Sequence, residues 1–195
     1  MTIEIRRVER ERVPAIAMML ARAFADDPMI LVSLAPEDVE DRMRHYFTLI
    51  DELWADLGVL WEAGETAGAV AWLSPEHVGA LGTSNTVIRE GVHALSPDEG
   101  VRHDALWNWV ESRIPDEPHW FLDQIGVDPD RQGEGIGRML VDFGLELARR
   151  DALPAFLETG VARNVGYYER FGFRVEEEGD APMDGPHIWF MRFDP

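Results

Sequence analysis

Between an apolar run, Trp120 to Val127, and a stretch of helical periodicity, the chain reads Asp128-Pro129-Asp130-Arg131-Gln132-Gly133-Glu134-Gly135-Ile136-Gly137-Arg138. Beyond it Ile136, Met139, Leu140, Phe143 and Leu147 recur at the spacing of one helix face. Strand, glycine turn and helix, in that order, make a phosphate site. The first N–H groups of a helix have no internal acceptor, and the helix dipole makes that end positive. Glycines let the backbone approach an anion and take positive φ without a Cβ penalty. Gln132, Gly133, Gly135 and Gly137 stand where such a cradle belongs, with Arg131 and Arg138 flanking it as cations. A P-loop is excluded, because it needs a Lys after its glycines and this chain contains none. A dinucleotide-binding turn is excluded as well, since Gly133-x-Gly135-x-Gly137 is too tight and lies too late in the chain.

Other chemistries find less support. With no Cys there is no disulfide framework, thiol nucleophile or thiolate metal site. His45, His77, His93, His103, His119 and His187 show no His-x-x-x-His spacing, so no metal is expected. Ser74, Ser84 and Ser96 lack the context of a nucleophile elbow. Tyr46, Trp72, Trp107 and Trp109 are the aromatic residues that could line a substrate pocket, although aromatics at such spacing commonly belong to the core.

The elements that must position the turn follow from periodicity. Thr2–Val8 alternates as an opening strand, and Val13–Phe24 reads as a helix with Pro14 in its first turn, stopped by Asp26-Asp27-Pro28. A second helix is expected from about Pro36 to Leu57. Val59–Ala63 and Gly68–Leu73 form a hairpin around Gly64-Glu65-Thr66. Residues 76–117 read as an irregular insertion with one or two helices. Then come the strand 120–127, the helix from Ile136, a strand at Ala155–Glu158, a short helix at Asn164–Phe171, and closing strands near Phe173–Glu177 and His187–Phe193. The class is α/β (α+β) around one sheet, in a single domain spanning 1–195.

Composition narrows the partners. The 195 residues carry a formal net charge of −19, which repels a phosphate backbone and argues against nucleic acid. All basic residues are Arg, consistent with either a salt-adapted surface or a GC-rich genome. No apolar run approaches the roughly 18 residues of a membrane span, and the N-terminus lacks the order of a signal peptide. A cytoplasmic protein is expected.

The segment Gln132-Gly133-Glu134-Gly135-Ile136-Gly137 resembles the Gln-x-x-Gly-x-Gly pyrophosphate signature of the GNAT N-acetyltransferase superfamily, and Asn164-Val165-Gly166-Tyr167-Tyr168-Glu169-Arg170-Phe171-Gly172-Phe173 resembles that family's Asn…Tyr-Glu-Arg-x-Gly-Phe segment. Within the superfamily the chain is similar to puromycin N-acetyltransferase and its relatives, through Ala23–Asp26, Val70–Trp72, Glu117–Leu122, Gly126–Pro129 and Pro154–Thr159. Asp27-Pro28, where those enzymes carry an aromatic residue, departs from the pattern.

The resemblance implies a mixed sheet of about six to seven strands, flanked by helices and splayed in a V between two central parallel strands. It implies acetyl-CoA as cosubstrate, held by Ile125, Gly126 and Val127 along the pantetheine, by Arg131, Gln132, Gly133, Glu134, Gly135, Ile136, Gly137 and Arg138 around the pyrophosphate, and by Asn164 from the other side. Glu134 departs from the residues frequent in that loop and is expected to point to water. Tyr168 matches the acid that donates to the departing sulfur, whereas Tyr167 is expected in the core. Asp123, two residues beyond Phe121 and on the same strand face, and Glu158 are the candidate bases, the alternative being water-mediated deprotonation with no dedicated base. The implied activity is acetylation of a primary amine by direct attack, the acceptor being an antibiotic, an amino acid derivative or a polyamine. Alternatives are a non-catalytic acyl-CoA sensor, a protein N-terminal or lysine acetyltransferase, and an enzyme using a longer acyl-CoA. Such proteins are often homodimers.

Overall fold

The computed structural model describes residues 3–80 and 86–195. Among these, seven strands form one sheet in the order β1-β2-β3-β4-β5-β7-β6. The strands are β1 (Ile5–Arg7), β2 (Leu60–Ala63), β3 (Gly68–Leu73), β4 (Trp120–Val127), β5 (Ala155–Thr159), β6 (Arg174–Asp180) and β7 (His187–Phe193). The helices are α1 (Val13–Ala23), the single turn α2 (Pro28–Leu31), α3 (Val39–Asp56), α4 (Thr86–Leu95), α5 (Val101–Glu111), α6 (Ile136–Asp151) and α7 (Ala162–Glu169). All neighbouring strands are antiparallel except β4 and β5.

That parallel pair gives the fold its central feature. β4 and β5 share only two rungs, Trp120↔Ala155 and Phe121↔Phe156, and then part. The divergence coincides with a bulge in β4. Against β3, Leu122 pairs with Trp72 and Gln124 with Ala71, which leaves Asp123 without an opposite residue. A bulge bends its strand and resets the alternation of side chains beyond it. Consequently the adjacent residues Asp123 and Gln124 both reach α3: Trp54 donates to Asp123, and Gln124 donates to Asp51.

Helices cover both faces of the sheet. A Cβ on Gly68 would meet Ile136 and Leu140 of α6, whereas one on Gly126 would lie 2.5 Å from Leu20 of α1. Gly126 thus lets α1 lie close against β4. Trp72, fully buried, packs where a Cβ on Gly144 would lie only 1.9 Å from its ring, and its indole N–H donates to the Leu140 carbonyl at 3.2 Å. Glu62 is buried in β2, where Arg6, Arg12 and the Thr66 N–H donate to it. Burial pushes this carboxyl up, but the three sets of donors outweigh it and hold the pKa below the usual value.

Most sequence-predicted elements stand within a few residues of their expected bounds. The hairpin and the strand 120–127 coincide with β2, β3 and β4. The opening strand is shorter than expected, and Thr2 lies outside the described residues. The second helix begins at Val39 rather than Pro36, and α7 starts and ends two residues earlier than expected. Residues 76–117 hold α4 and α5, and 81–85, with Ser84, lie outside the described residues. The turn α2 was not foreseen. Asp27, expected to end a helix, instead caps the next one by accepting from the Met29 and Ile30 N–H groups.

Candidate active site

The glycine turn opens a cleft of about 680 Å³ at the start of α6. Gly133 and Gly135 have φ of +86° and +82°, conformations that an L-residue enters only with strain. A Cβ on either would meet no atom within 4 Å, so both present bare backbone to open space. Among the described residues the N–H groups of Ile136, Gly137 and Arg138 find no acceptor, and no acidic residue stands in the first turn of α6. An anion of pyrophosphate size fits this cradle on geometry and on charge.

Gln132, Ile136, Gly137 and Arg138 line the cleft, as do Ile125, Gly126 and Val127 from β4 and Asn164 and Tyr168 from α7. Arg131 and Glu134 are bound to each other at 2.7 Å and do not line it. The charge of Glu134 is thereby directed outward and matched, which removes the conflict with a pyrophosphate that its position in the loop raised. Arg163 supplies a cleft cation that the sequence did not single out, and Arg22, also on the cleft, is paired with Asp128 and Asp130. Tyr167, expected in the core, is half-buried instead and lines the cleft, its hydroxyl 3.0 Å from where a Cβ on Gly137 would be.

From Leu122 onward β4 has no rung with β5. Next to the cleft at this gap lies a cavity of about 110 Å³, with Phe24, Asp27, Ile125, Asn164 and Tyr168 bordering both spaces. Tyr168 is buried, and burial above all, with the nearby Tyr167 and Glu158, pushes its hydroxyl well above the ordinary phenol value. It therefore keeps its proton at neutral pH. Asn164 donates to Thr159 Oγ1 at 3.2 Å, which fixes its amide at the edge of the gap.

Past Tyr168 the cavity meets a second pocket, of about 60 Å³, and Tyr46, Ile50, Trp107, Asp123 and Glu158 border both. Asp123 and Glu158 are thus brought together at the junction. Asp123 accepts from the Trp54 indole at 2.8 Å, yet burial pushes its pKa up to about 7. Burial likewise raises Glu158 to about 8, and a charge on Asp123 adds to the rise. Glu158 Oε2 and the Trp107 indole N–H are buried with no partner. Asp51 lies fully buried behind Asp123, its carboxyl raised by burial and hydrogen-bonded by Gln124. Two carboxyls that titrate near neutrality at the inner end of a pocket can take a proton from an incoming cation.

Of the aromatic candidates, Tyr46 and Trp107 line the second pocket. Trp72 belongs to the core, and Trp109 packs on Phe190 and under Arg113. Trp54 and Asp51 were missed as site residues: Asp51 looks like one more polar position in an amphipathic helix, and only the bulge at Asp123 turns β4 toward both. His119 is buried, its ring edge-on to Phe156, and its pKa is lowered by that burial. Among the described residues no cluster of three or more His, Asp or Glu side chains is arranged around a metal position, and no helix is long and apolar enough to cross a membrane.

Strand order, splayed parallel pair and glycine cradle define the acetyltransferase class, and the sequence agrees: residues 29–173 match the Acetyltransferase (GNAT) family. The chain belongs to that family and is an N-acetyltransferase of the kind that uses acetyl-CoA. It is 27% identical over 189 residues to an uncharacterised N-acetyltransferase of Schizosaccharomyces pombe, covering 88% of this chain and 74% of the relative. It is 36% identical over 74 residues to the peptidyl-lysine N-acetyltransferase YjaB of Salmonella typhimurium, covering 34% of this chain and 50% of that one. Among solved structures, one described as histone acetyltransferase HPA2 and related acetyltransferase from Corynebacterium glutamicum superposes with a TM-score of 0.72 at 22% identity, covering 100% of this chain and 97% of that one. The last likeness establishes the shared fold.

Proposed function

We propose that the protein transfers the acetyl group of acetyl-CoA to the primary amine of a small molecule, with Tyr168, Asp123 and Glu158 at the reacting centre. What carries this reading is the succession of three adjoining spaces from the backbone cradle on α6 to the carboxyl pair, with Tyr168 and Asn164 at the first boundary and Asp123 and Glu158 at the second. The pyrophosphate rests on Gln132 to Arg138, and the pantetheine runs along the free edge of β4 at Ile125 to Val127, with Asn164 opposite. An ammonium entering from the second pocket loses a proton to the ionised Asp123–Glu158 pair. The free amine then attacks the thioester carbonyl, a C–N bond forms and the C–S bond breaks. The Tyr168 phenol gives its proton to the sulfur as its negative charge develops, and the second proton that the nitrogen sheds as the amide forms restores the phenol. The insertion bearing α4 and α5 lines the acceptor pocket through Ile88, Trp107 and Val110, which favours a small acceptor over a polypeptide.

The test is thiol release from acetyl-CoA across a panel of amines, puromycin included, with Tyr168→Phe beside the wild type. The expected outcome is turnover on at least one amine, with kcat reduced about 100-fold in the variant at an unchanged KM for acetyl-CoA. kcat/KM should rise with pH and level off above about 8, as the carboxyl pair loses its proton. Acetyl-CoA binding without turnover on any amine would favour a sensor.

A further inference from the structure

Outside its carboxyl end, the second pocket is built almost wholly from apolar surface. Its walls are Tyr46, Trp54, Ile88, Trp107, Val110 and Phe121, contributed by α3, α4, α5 and β4. At its inner end stand Asp123 and Glu158, the latter with an unpartnered buried oxygen. At the outer rim the charges are of both signs, Arg89 and Glu111, and Arg89 is tied to Asp104 at 2.6 Å. His103, also on the wall, is held neutral near pH 7 by burial, its pKa lowered to about 4. The pocket therefore offers a cation the carboxyl pair at its inner end, low-polarity surface beyond it, and a further carboxylate, Glu111, only at the rim.

We infer that the acceptor is a primary amine with a single positive charge on an apolar, ring-bearing body. The amine sits between Asp123 and Glu158, the carbons next to it fill the space of about 60 Å³ among Trp54, Trp107, Ile88 and Val110, and the ring extends past these side chains toward the open rim. A second ammonium close to the first would have to shed its water against these walls, since the next carboxylate, Glu111, stands only at the rim beside Arg89, and a buried unpaired charge is strongly disfavoured. Polyamines, and lysine within a peptide, whose flanking backbone needs polar partners, fit this surface poorly. An aromatic or branched body gains from burial and from ring-on-ring contact with the indoles. This assignment rests on the acetyl-transfer reading of the same site and adds the class of acceptor to it.

The measurement compares 2-phenylethylamine with putrescine, spermidine and Nα-acetyl-lysinamide as acceptors at saturating acetyl-CoA. kcat/KM is expected to be at least 10-fold higher for 2-phenylethylamine. Val110→Glu, which places a carboxylate on the apolar wall, is expected to lower that preference at least fivefold. Because such a variant can fail to fold, 2-phenylethylamine and putrescine are also titrated calorimetrically into wild-type protein in the presence of CoA. Tighter binding of 2-phenylethylamine supports the pocket assignment even if no amine is turned over, in which case acetyl transfer alone is lost. Preferential turnover of spermidine or the lysine amide overturns the assignment while leaving acetyl transfer intact. Failure of 2-phenylethylamine either to bind or to react overturns it outright.

Discussion

Asp123→Asn removes the charge of one half-buried carboxyl, and with it the share of the Glu158 and Asp51 shifts that this charge causes. The folded pKa of Asp123 is about 7 against an ordinary value of 3.8, and burial is the cause. The native state therefore binds more protons than the unfolded chain between about pH 4 and 7, so wild-type stability falls through that window and levels off above it. Integrated from pH 4.5 to pH 8, the loss attributable to this group is about 3 kcal/mol. Asparagine keeps an oxygen to accept the Trp54 indole N–H but cannot ionise. Its amide carries a desolvation cost of its own, and that cost is present at both pH values and cancels in the difference. Urea unfolding of wild type and variant at pH 4.5 and pH 8 gives the comparison directly. The wild type should lose at least about 3 kcal/mol more than the variant between the two pH values, because the variant also relieves Glu158 and Asp51 of the Asp123 charge. Parallel losses in the two proteins would mean that Asp123 is not held in a low-polarity site, and its role as a base would lose its physical footing.

Gly135→Ala should leave the fold in place, because a Cβ there meets nothing within 4 Å, but at φ +82° it costs about 1 kcal/mol; acetyl-CoA affinity by calorimetry should fall about 10-fold as the cradle shifts. Glu62→Gln should destabilise the protein by about 2 kcal/mol at pH 7, because Arg6 and Arg12 lose a buried anion. Since the Glu62 pKa is lowered, that difference should shrink as the pH drops through the acid range, the opposite sense to Asp123. Gly144→Ala drives a methyl group into the Trp72 ring and should lower stability by about 3 kcal/mol, read as a drop in urea midpoint.

The phosphate cradle was legible in the sequence because its physics is local. Glycine spacing, a following helix and the absence of Lys identify it without any knowledge of tertiary contacts. The strands and the long helices were legible for the same reason, through periods of two and 3.6 residues. The acceptor side was legible only in part. Asp123 could be put on the same face as Phe121 by counting, but its partner Trp54 lies 69 positions away on α3 and meets it only through the bulge. A bulge leaves no local mark in Leu122-Asp123-Gln124-Ile125. Tyr167 and Tyr168 were separable only as core and site, whereas both face the passage, because α7 lies with that side along the cleft. Arg131 illustrates the converse: a cation beside the cradle in sequence is claimed by the nearest carboxylate in space.

The two-rung contact between β4 and β5 makes the sheet a pair of half-sheets fastened at one end. On one side stand β1 to β4, three consecutive antiparallel pairings; on the other, β5, β7 and β6. Trp120↔Ala155 and Phe121↔Phe156 act as the fulcrum. If acetyl-CoA spans α6 and Asn164 as proposed, it is a second fastening at the open end, and saturation at about 100 times Kd adds about 2.7 kcal/mol to the free energy of any opening that releases it. Amide hydrogens of β5 should then exchange more slowly with CoA bound, although most of that strand never touches it. On that binding mode, substrate entry doubles as mechanical bracing.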